Sequence, residues 1–182
     1  MTEEIKNTII LDLTAQAHRD VLHRKLEKRM FQLLKEITDA DSKIDKARGG
    51  LIVIGEFVCY DYKIPGMRQI GTNPLAGVNL NLNDRGIKED FEKLLDQDGA
   101  VIIDTTGQIM AAQVYLQVDR VDAQVEEGCS TRHISASSFS MNPHIVACFT
   151  MSEETGKVRV YQEGQQKCVY DPRKPTEVES EL

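Results

Sequence analysis

An arginine and a histidine stand side by side at Arg132 and His133 in the stretch EEGCSTRHISASS, residues 126–138, among the hydroxyls of Ser130, Thr131 and Ser135. The stretch offers hardly an apolar side chain to bury, so no helix or strand period of core residues accounts for it. Its chemistry suits an anion. A guanidinium is a planar fork matched to phosphate oxygens, and an imidazole adds a hydrogen bond or a proton. Ser130 or Thr131 is a candidate helix cap, and a helix starting there would aim backbone N–H groups and the positive end of its dipole at the same anion. A capped surface helix carrying Arg and His for no ligand uses the same residue types, and this stretch alone does not separate the two readings.

A second cluster is DQDGAVIID, in which Asp98 precedes Gly99, Ala100 and an apolar run. A carboxylate at a strand mouth with no bulk beside it can hold a divalent metal or take a proton from a hydroxyl, and Gly99 would let a flat ligand approach the backbone. An ordinary helix-to-strand turn is built from the same residues. The third cluster is Ser152 and Glu153 in TMSEETGKVRVYQEG. There a hairpin tip is an adequate explanation, and a group facing a phosphate and its metal is the competing one. Neither GxxxxGK[ST] nor GxGxxG occurs, which removes most of the weight from the P-loop and Rossmann classes.

The elements that must carry these residues are legible in part. Residues 15–47 contain no Gly or Pro, and Leu22, Leu26, Met30, Leu33, Ile37, Ala40 and Ile44 recur at steps of three and four, predicting one amphipathic helix that the RGG of Arg48–Gly50 ends. That helix either packs on its own domain or forms a self-association surface, since the spacing from Met30 to Ile44 also fits two heptads. GLIVIGEFV, residues 50–58, is an apolar run of strand length, and strand-like segments follow at 100–104, 108–116, 144–151, 157–161 and 167–170. TTGQ at 105–108 and EETG at 153–156 place a glycine where a hairpin wants positive φ. Residues 83–97 read as a helix capped by Asn83 or Asp84, with Ile87, Phe91, Leu94 and Leu95 on one face, and 130–139 as a second, short one. The fold class is α/β: a central mixed β-sheet flanked by helices, with an N-terminal amphipathic helix. The last dozen residues, DPRKPTEVESEL, hold two prolines and four acids and are expected to be a disordered acidic tail.

At 182 residues, the chain is long enough for one buried domain with a helical lead-in. Its 22 Lys and Arg against 29 Asp and Glu leave a net charge of −7, which argues against a nucleic-acid binder, so any polyanion site must be a local pocket. Cys59, Cys129, Cys148 and Cys168 lie far apart with no CxxC pair, indicating reduced thiols rather than a zinc site or disulfide framework. With no apolar run near the ~18 residues of a membrane span and no signal-peptide layout, the expectation is a cytoplasmic protein that engages neither membrane nor nucleic acid.

Taken in order, DGAVII, GQIMAAQVYL, STRHISAS and MSEETGKVRVYQEG resemble the catalytic domain of the diadenylate cyclases, which condense two ATP into cyclic di-AMP; the likeness covers about residues 50–164. Its specificity lies in the ordered set, since each motif alone is weak. The resemblance implies a helical segment at 1–48, a cyclase domain at 49–170 and the tail at 171–182. It also implies a face-to-face dimer or higher homo-oligomer in which each domain holds one ATP and a ribose 3′-hydroxyl of one attacks the α-phosphate of the other. Asp98 would hold a catalytic Mg²⁺ or Mn²⁺ and activate that hydroxyl, Gly99 and Ala100 would floor the nucleotide, and Leu116 would lie near the adenine. Thr131, Arg132 and His133 would hold the triphosphate, with Ser135, Ser152 and Glu153 nearby.

Two positions depart from the family's pattern. Ile134 stands where a second arginine is usual, and Gln97 where some members carry a histidine. The alternative of a catalytically silent nucleotide-binding or assembly module of the same fold rests on the first.

Overall fold

The computed structural model describes residues 3–46, 48–57, 64–118, 130–175 and 178–180, with side chains described from residue 12 to 175. The long first helix, α1 (Glu3–Lys43), starts earlier than the expected residue 15, because the first fourteen residues also lack Gly and Pro. It stops before the expected RGG. Asp45 takes the left-handed conformation at φ 52, and the N–H of Lys46 returns to the carbonyl of Asp41 at 3.0 Å, the six-to-one bond of a Schellman closure.

Among the described residues, eight strands form one sheet: β1 (Gly50–Gly55), β2 (Met67–Gln69), β3 (Ala100–Asp104), β4 (Ile109–Leu116), β5 (Ile145–Met151), β6 (Val158–Gln162), β7 (Gln165–Tyr170) and β8 (Val178–Ser180), in the order β2-β4-β3-β1-β5-β6-β7-β8. β1 and β3 run parallel and all other pairs antiparallel, so the sheet is mixed as expected. β2 has no apolar alternation to announce it, and β8 replaces part of the expected disordered tail. An edge strand such as β7 presents unpaired N–H and C=O groups, and a short segment satisfies them by pairing even when it has little to bury. Gly107 (φ 86) and Gly156 (φ 69) occupy the two turns with the positive φ foreseen for them.

The helices lie on both faces. Because successive strand residues point to opposite sides, β1 splits its apolar run. Ile52 and Ile54 join Leu26, Met30, Leu33, Leu34 and Ile37 of α1 and the face of α2 (Ile87–Leu95) in one core, while Leu51 and Val53 join Ala136 and Phe139 of α3 (Thr131–Ser140) in the other. A strand covered on both faces must be apolar throughout, which is why this one reads as a continuous run. The first helix therefore packs on its own domain through its C-terminal half; Leu22 and Ile44, at the two ends of the expected stripe, are exposed. α2 begins at Ile87 with Gly86 at its cap, not Asn83 or Asp84, because the Asp84 carboxylate accepts instead from the N–H of Asn81 and is spent in the preceding turn. Cys148 and Cys168 are buried free thiols; Cys59 and Cys129 lie outside the described residues. No helix among the described residues is long and apolar enough to cross a membrane.

Candidate functional site

The short apolar strands β1 and β3 end their parallel pairing at one edge. Their register, Ile52 opposite Val101, followed back along both strands, leads to Gly49 on one and Asp98 on the other. Asp98 lies in the exposed turn between α2 and β3. Gly99 follows at φ 99, with its Cα pressed on β4: a Cβ there would stand 2.8 Å from the Val114 amide nitrogen and 2.9 Å from the Gln113 carbonyl carbon. Only glycine meets both conditions.

β4 yields to that approach through a bulge. Ala100 faces Val114 but Ile102 faces Ala111, so one residue too many is accommodated, and Gln113 takes φ 59. The backbone groups displaced by the bulge are answered by the edge. Gln69 Nε2 donates to the Ala112 carbonyl at 2.7 Å, the Ile70 N–H donates to the Gln113 carbonyl at 2.8 Å, and Asn73 donates from Nδ2 to the Met110 carbonyl at 3.0 Å. Sequence reasoning missed Gln69, Asn73 and Gln113. The one available signal was Gln113 itself, a polar interruption in the apolar run IMAAQVYL.

On the other face, α3 begins at Thr131 after Ser130, whose extended backbone (φ −71, ψ 170) marks a cap but whose side chain makes no capping bond. Thr131 is exposed. Arg132 reaches back over the start of β1, where its guanidinium lies against Gly49, and its Nη1 pairs with Glu153 Oε2 at 3.3 Å. Both partners of this pair remain accessible, with 40% and 61% of their side-chain surface exposed. His133 turns the other way and is 5% exposed; its Nδ1 lies 2.9 Å from Thr150 Oγ1 and 3.4 Å from Tyr161 Oη. Thr150 and Tyr161 are fully enclosed partners that no motif announced.

The remaining expected residues are distributed between the mouth and its walls. Ala100 and Leu116 are buried in the core beneath α3, and Ser135 is buried on α3 itself. Ser152 lies in the turn after β5, where its Oγ accepts from the Thr155 N–H at 3.3 Å, with exposed Glu153 beside it. Since Gly50 pairs with Met151, this turn sits at the same end of the sheet as Gly49 and Asp98. The fold thus gathers Asp98, Gly99, Arg132, Ser152 and Glu153 at one end, while His133 and Ser135 turn into the core and Ile134 is half-buried.

No group of three or more His, Cys, Asp or Glu side chains able to enclose a metal occurs among the described residues. Asp98 is a single exposed carboxylate, and that fits a cation of the Mg²⁺ kind, which is held by one or two carboxylates while substrate phosphates and water complete its shell.

A separate cleft of about 710 Å³ opens at the opposite end of the sheet, lined by Asp20, His23, Arg24, Glu27, Gln162 and Glu163 among others, and contains none of these residues. Burial there pushes the Glu27 carboxyl up to about 7, against the opposing pull of Gln162 and Arg24.

Comparison with known proteins bears on most of the chain. Residues 38–166 match the family described as DisA bacterial checkpoint controller nucleotide-binding. A diadenylate cyclase of Haloferax volcanii is 23% identical over 170 residues, covering 93% of this chain; the chain spans 60% of that protein. Two crystal structures share the fold: a hypothetical membrane-spanning protein from Bacillus cereus, at TM-score 0.55 and 20% identity over 77% of this chain and 61% of that one, and DacA from Staphylococcus aureus, at TM-score 0.52 and 22% identity over 79% and 87%.

Proposed function

We propose that this chain, which belongs to the DisA bacterial checkpoint controller nucleotide-binding family by its match over residues 38–166, is a diadenylate cyclase that converts two ATP into cyclic di-AMP and two pyrophosphates. The observation that carries this reading is the convergence of the Asp98–Gly99 turn and the Arg132–Glu153 pair on one end of the sheet.

Each half-reaction forms one bond from a ribose 3′-oxygen to an α-phosphorus and breaks one to pyrophosphate, with the hydroxyl proton leaving to a base. Two chains facing each other across this end, each holding one ATP, carry out both halves. Phosphoryl transfer is mostly positioning and neutralisation of charge on phosphate oxygens. Here the positive charge comes from Arg132 and from the first turn of α3, whose N–H groups no capping side chain occupies. Thr131 adds an exposed hydroxyl at the same turn. Gly99 keeps the mouth clear of side-chain bulk, and Ala100 and Leu116, both buried, form the apolar floor beneath it. Asp98 receives the hydroxyl proton and offers a carboxylate oxygen to Mg²⁺ or Mn²⁺. The chemistry a bound cation supplies is further neutralisation of the triphosphate. An acidic chain can work this way because the positive potential need only be local.

A second reading is favoured by one residue. Ile134 provides no charge where the resemblance expects a second arginine, which suits a module that binds nucleotide without turning it over. Incubating the purified chain with ATP and either Mg²⁺ or Mn²⁺, with mass detection of products, separates the two. Cyclic di-AMP with pyrophosphate establishes the cyclase, whereas intact ATP from a demonstrably folded chain overturns it in favour of the binding module.

A further inference from the structure

The Arg-Gly-Gly that follows α1 does more than connect it to β1. Arg48 is buried, and its guanidinium is fully engaged. Nε lies 2.8 Å from Asp41 Oδ2 on α1, and Nη1 donates to the Glu92 carbonyl at 2.7 Å and lies 3.1 Å from Asp96 Oδ1 at the end of α2. Gly50, on the other side, opens β1 and is locked into the register with β5. Gly49 is therefore held between two fixed neighbours.

The guanidinium of Arg132 rests directly on this fixed backbone. A Cβ added at Gly49 would meet Nη1 and stand 2.7 Å from Cζ and 3.0 Å from Nη2, so all three atoms of the fork's end lie over the glycine. The φ of Gly49 does not lie in the left-handed region, so backbone conformation does not demand glycine here. The space does. The same Nη1 donates to Glu153 Oε2 at 3.3 Å.

We infer that Gly49 is a positioning residue for Arg132: its missing side chain is the seat that sets where the guanidinium can meet the triphosphate, with Arg48 anchoring the seat to α1 and α2 and Glu153 steering the fork. This rests on the reading of Arg132 as a triphosphate ligand. An arginine side chain is long and mobile, and holding it beforehand in one orientation reduces what must be ordered when the anion arrives. The same joint ties the placement of Arg132 to the Asp98 turn, since Asp96, which Arg48 grips, lies two residues before Asp98.

The test is a double-mutant cycle on the full chain, with Gly49→Ala, Arg132→Ala and the two combined, read by equilibrium binding of ATP and by thermal unfolding. Gly49→Ala is expected to weaken ATP binding about tenfold or more, the loss of one hydrogen bond to a charged group, with an unchanged midpoint of unfolding. In the Arg132→Ala background the same substitution is expected to do nothing, because no guanidinium remains to displace. A tenfold loss that persists without Arg132, or instability that Arg132→Ala does not relieve, means that the glycine serves the backbone and overturns the inference. So does an unchanged affinity in Gly49→Ala when Arg132→Ala alone weakens binding, which leaves the functional reading standing. Failure of the unaltered chain to bind ATP removes that reading, and the inference with it.

Discussion

Nδ1 of His133 lies 2.9 Å from Oγ1 of Thr150, joining the first turn of α3 to β5 inside the core, with the Tyr161 hydroxyl 3.4 Å away on β6. The contact at one ring nitrogen fixes the imidazole's orientation, with the threonine hydroxyl able to donate to it or accept from it. The strand beneath the helix thus dictates which way this residue of the Arg-His pair presents itself.

Thr150→Val keeps the branched shape a strand favours and removes only the hydroxyl. With its nearer partner lost, the buried imidazole nitrogen is expected to cost about 1–3 kcal/mol of stability. Thr150→Ser is expected to restore it. Urea unfolding of the unaltered chain and both variants checks this; an unchanged stability in Thr150→Val would mean that the contact contributes nothing to the fold.

Asp98 is exposed in its turn, so Asp98→Asn is expected to leave the fold intact. With Asp98 in the role proposed for it, accepting a proton and holding the cation, its loss should reduce turnover by about 100-fold or more. Unfolding midpoints and product formation, measured on the same preparation, decide it.

Arg48 holds the Asp41 carboxylate, which is only 9% exposed, and removing one partner of a buried pair leaves the other charge stranded. Arg48→Met is expected to destabilise the chain by roughly 3–5 kcal/mol in urea unfolding. The paired change Arg48→Met with Asp41→Leu removes both charges and should recover most of that loss.

Glu27 gives the fold a pH dependence whose sign is fixed by burial. Its carboxyl is raised from the ordinary 4.5 to about 7, so between those values the folded chain holds a proton that the unfolded chain has released. The contribution is fully present below pH 4.5 and is lost as pH rises through 7, a change of roughly 3 kcal/mol. Comparing urea unfolding at pH 5 and pH 8 for the unaltered chain and Glu27→Gln checks it. The substituted chain should lose that part of the slope.

Much of the architecture was legible because burial leaves a periodic trace. The step of three and four in Leu26, Met30, Leu33 and Ile37 revealed an amphipathic helix, and the unbroken apolar run of β1 revealed a strand, which the structure covers on both faces. Gly107 and Gly156 disclosed their turns because few residues other than glycine accept positive φ readily. Asp45 defeated the same rule: an aspartate adopted the left-handed conformation and ended α1 before the glycines that should have done so.

What the amino-acid sequence determined by itself was therefore local: which segments are helix or strand and where most turns fall. Only the tertiary structure decided who meets whom. That Gly49 seats Arg132, that Thr150 and Tyr161 hold His133, and that Gln69 and Asn73 answer the bulge at Gln113 all follow from strand order and register. Those contacts span tens of residues, and side-chain periodicity records only whether a residue is buried, not which distant partner buries it.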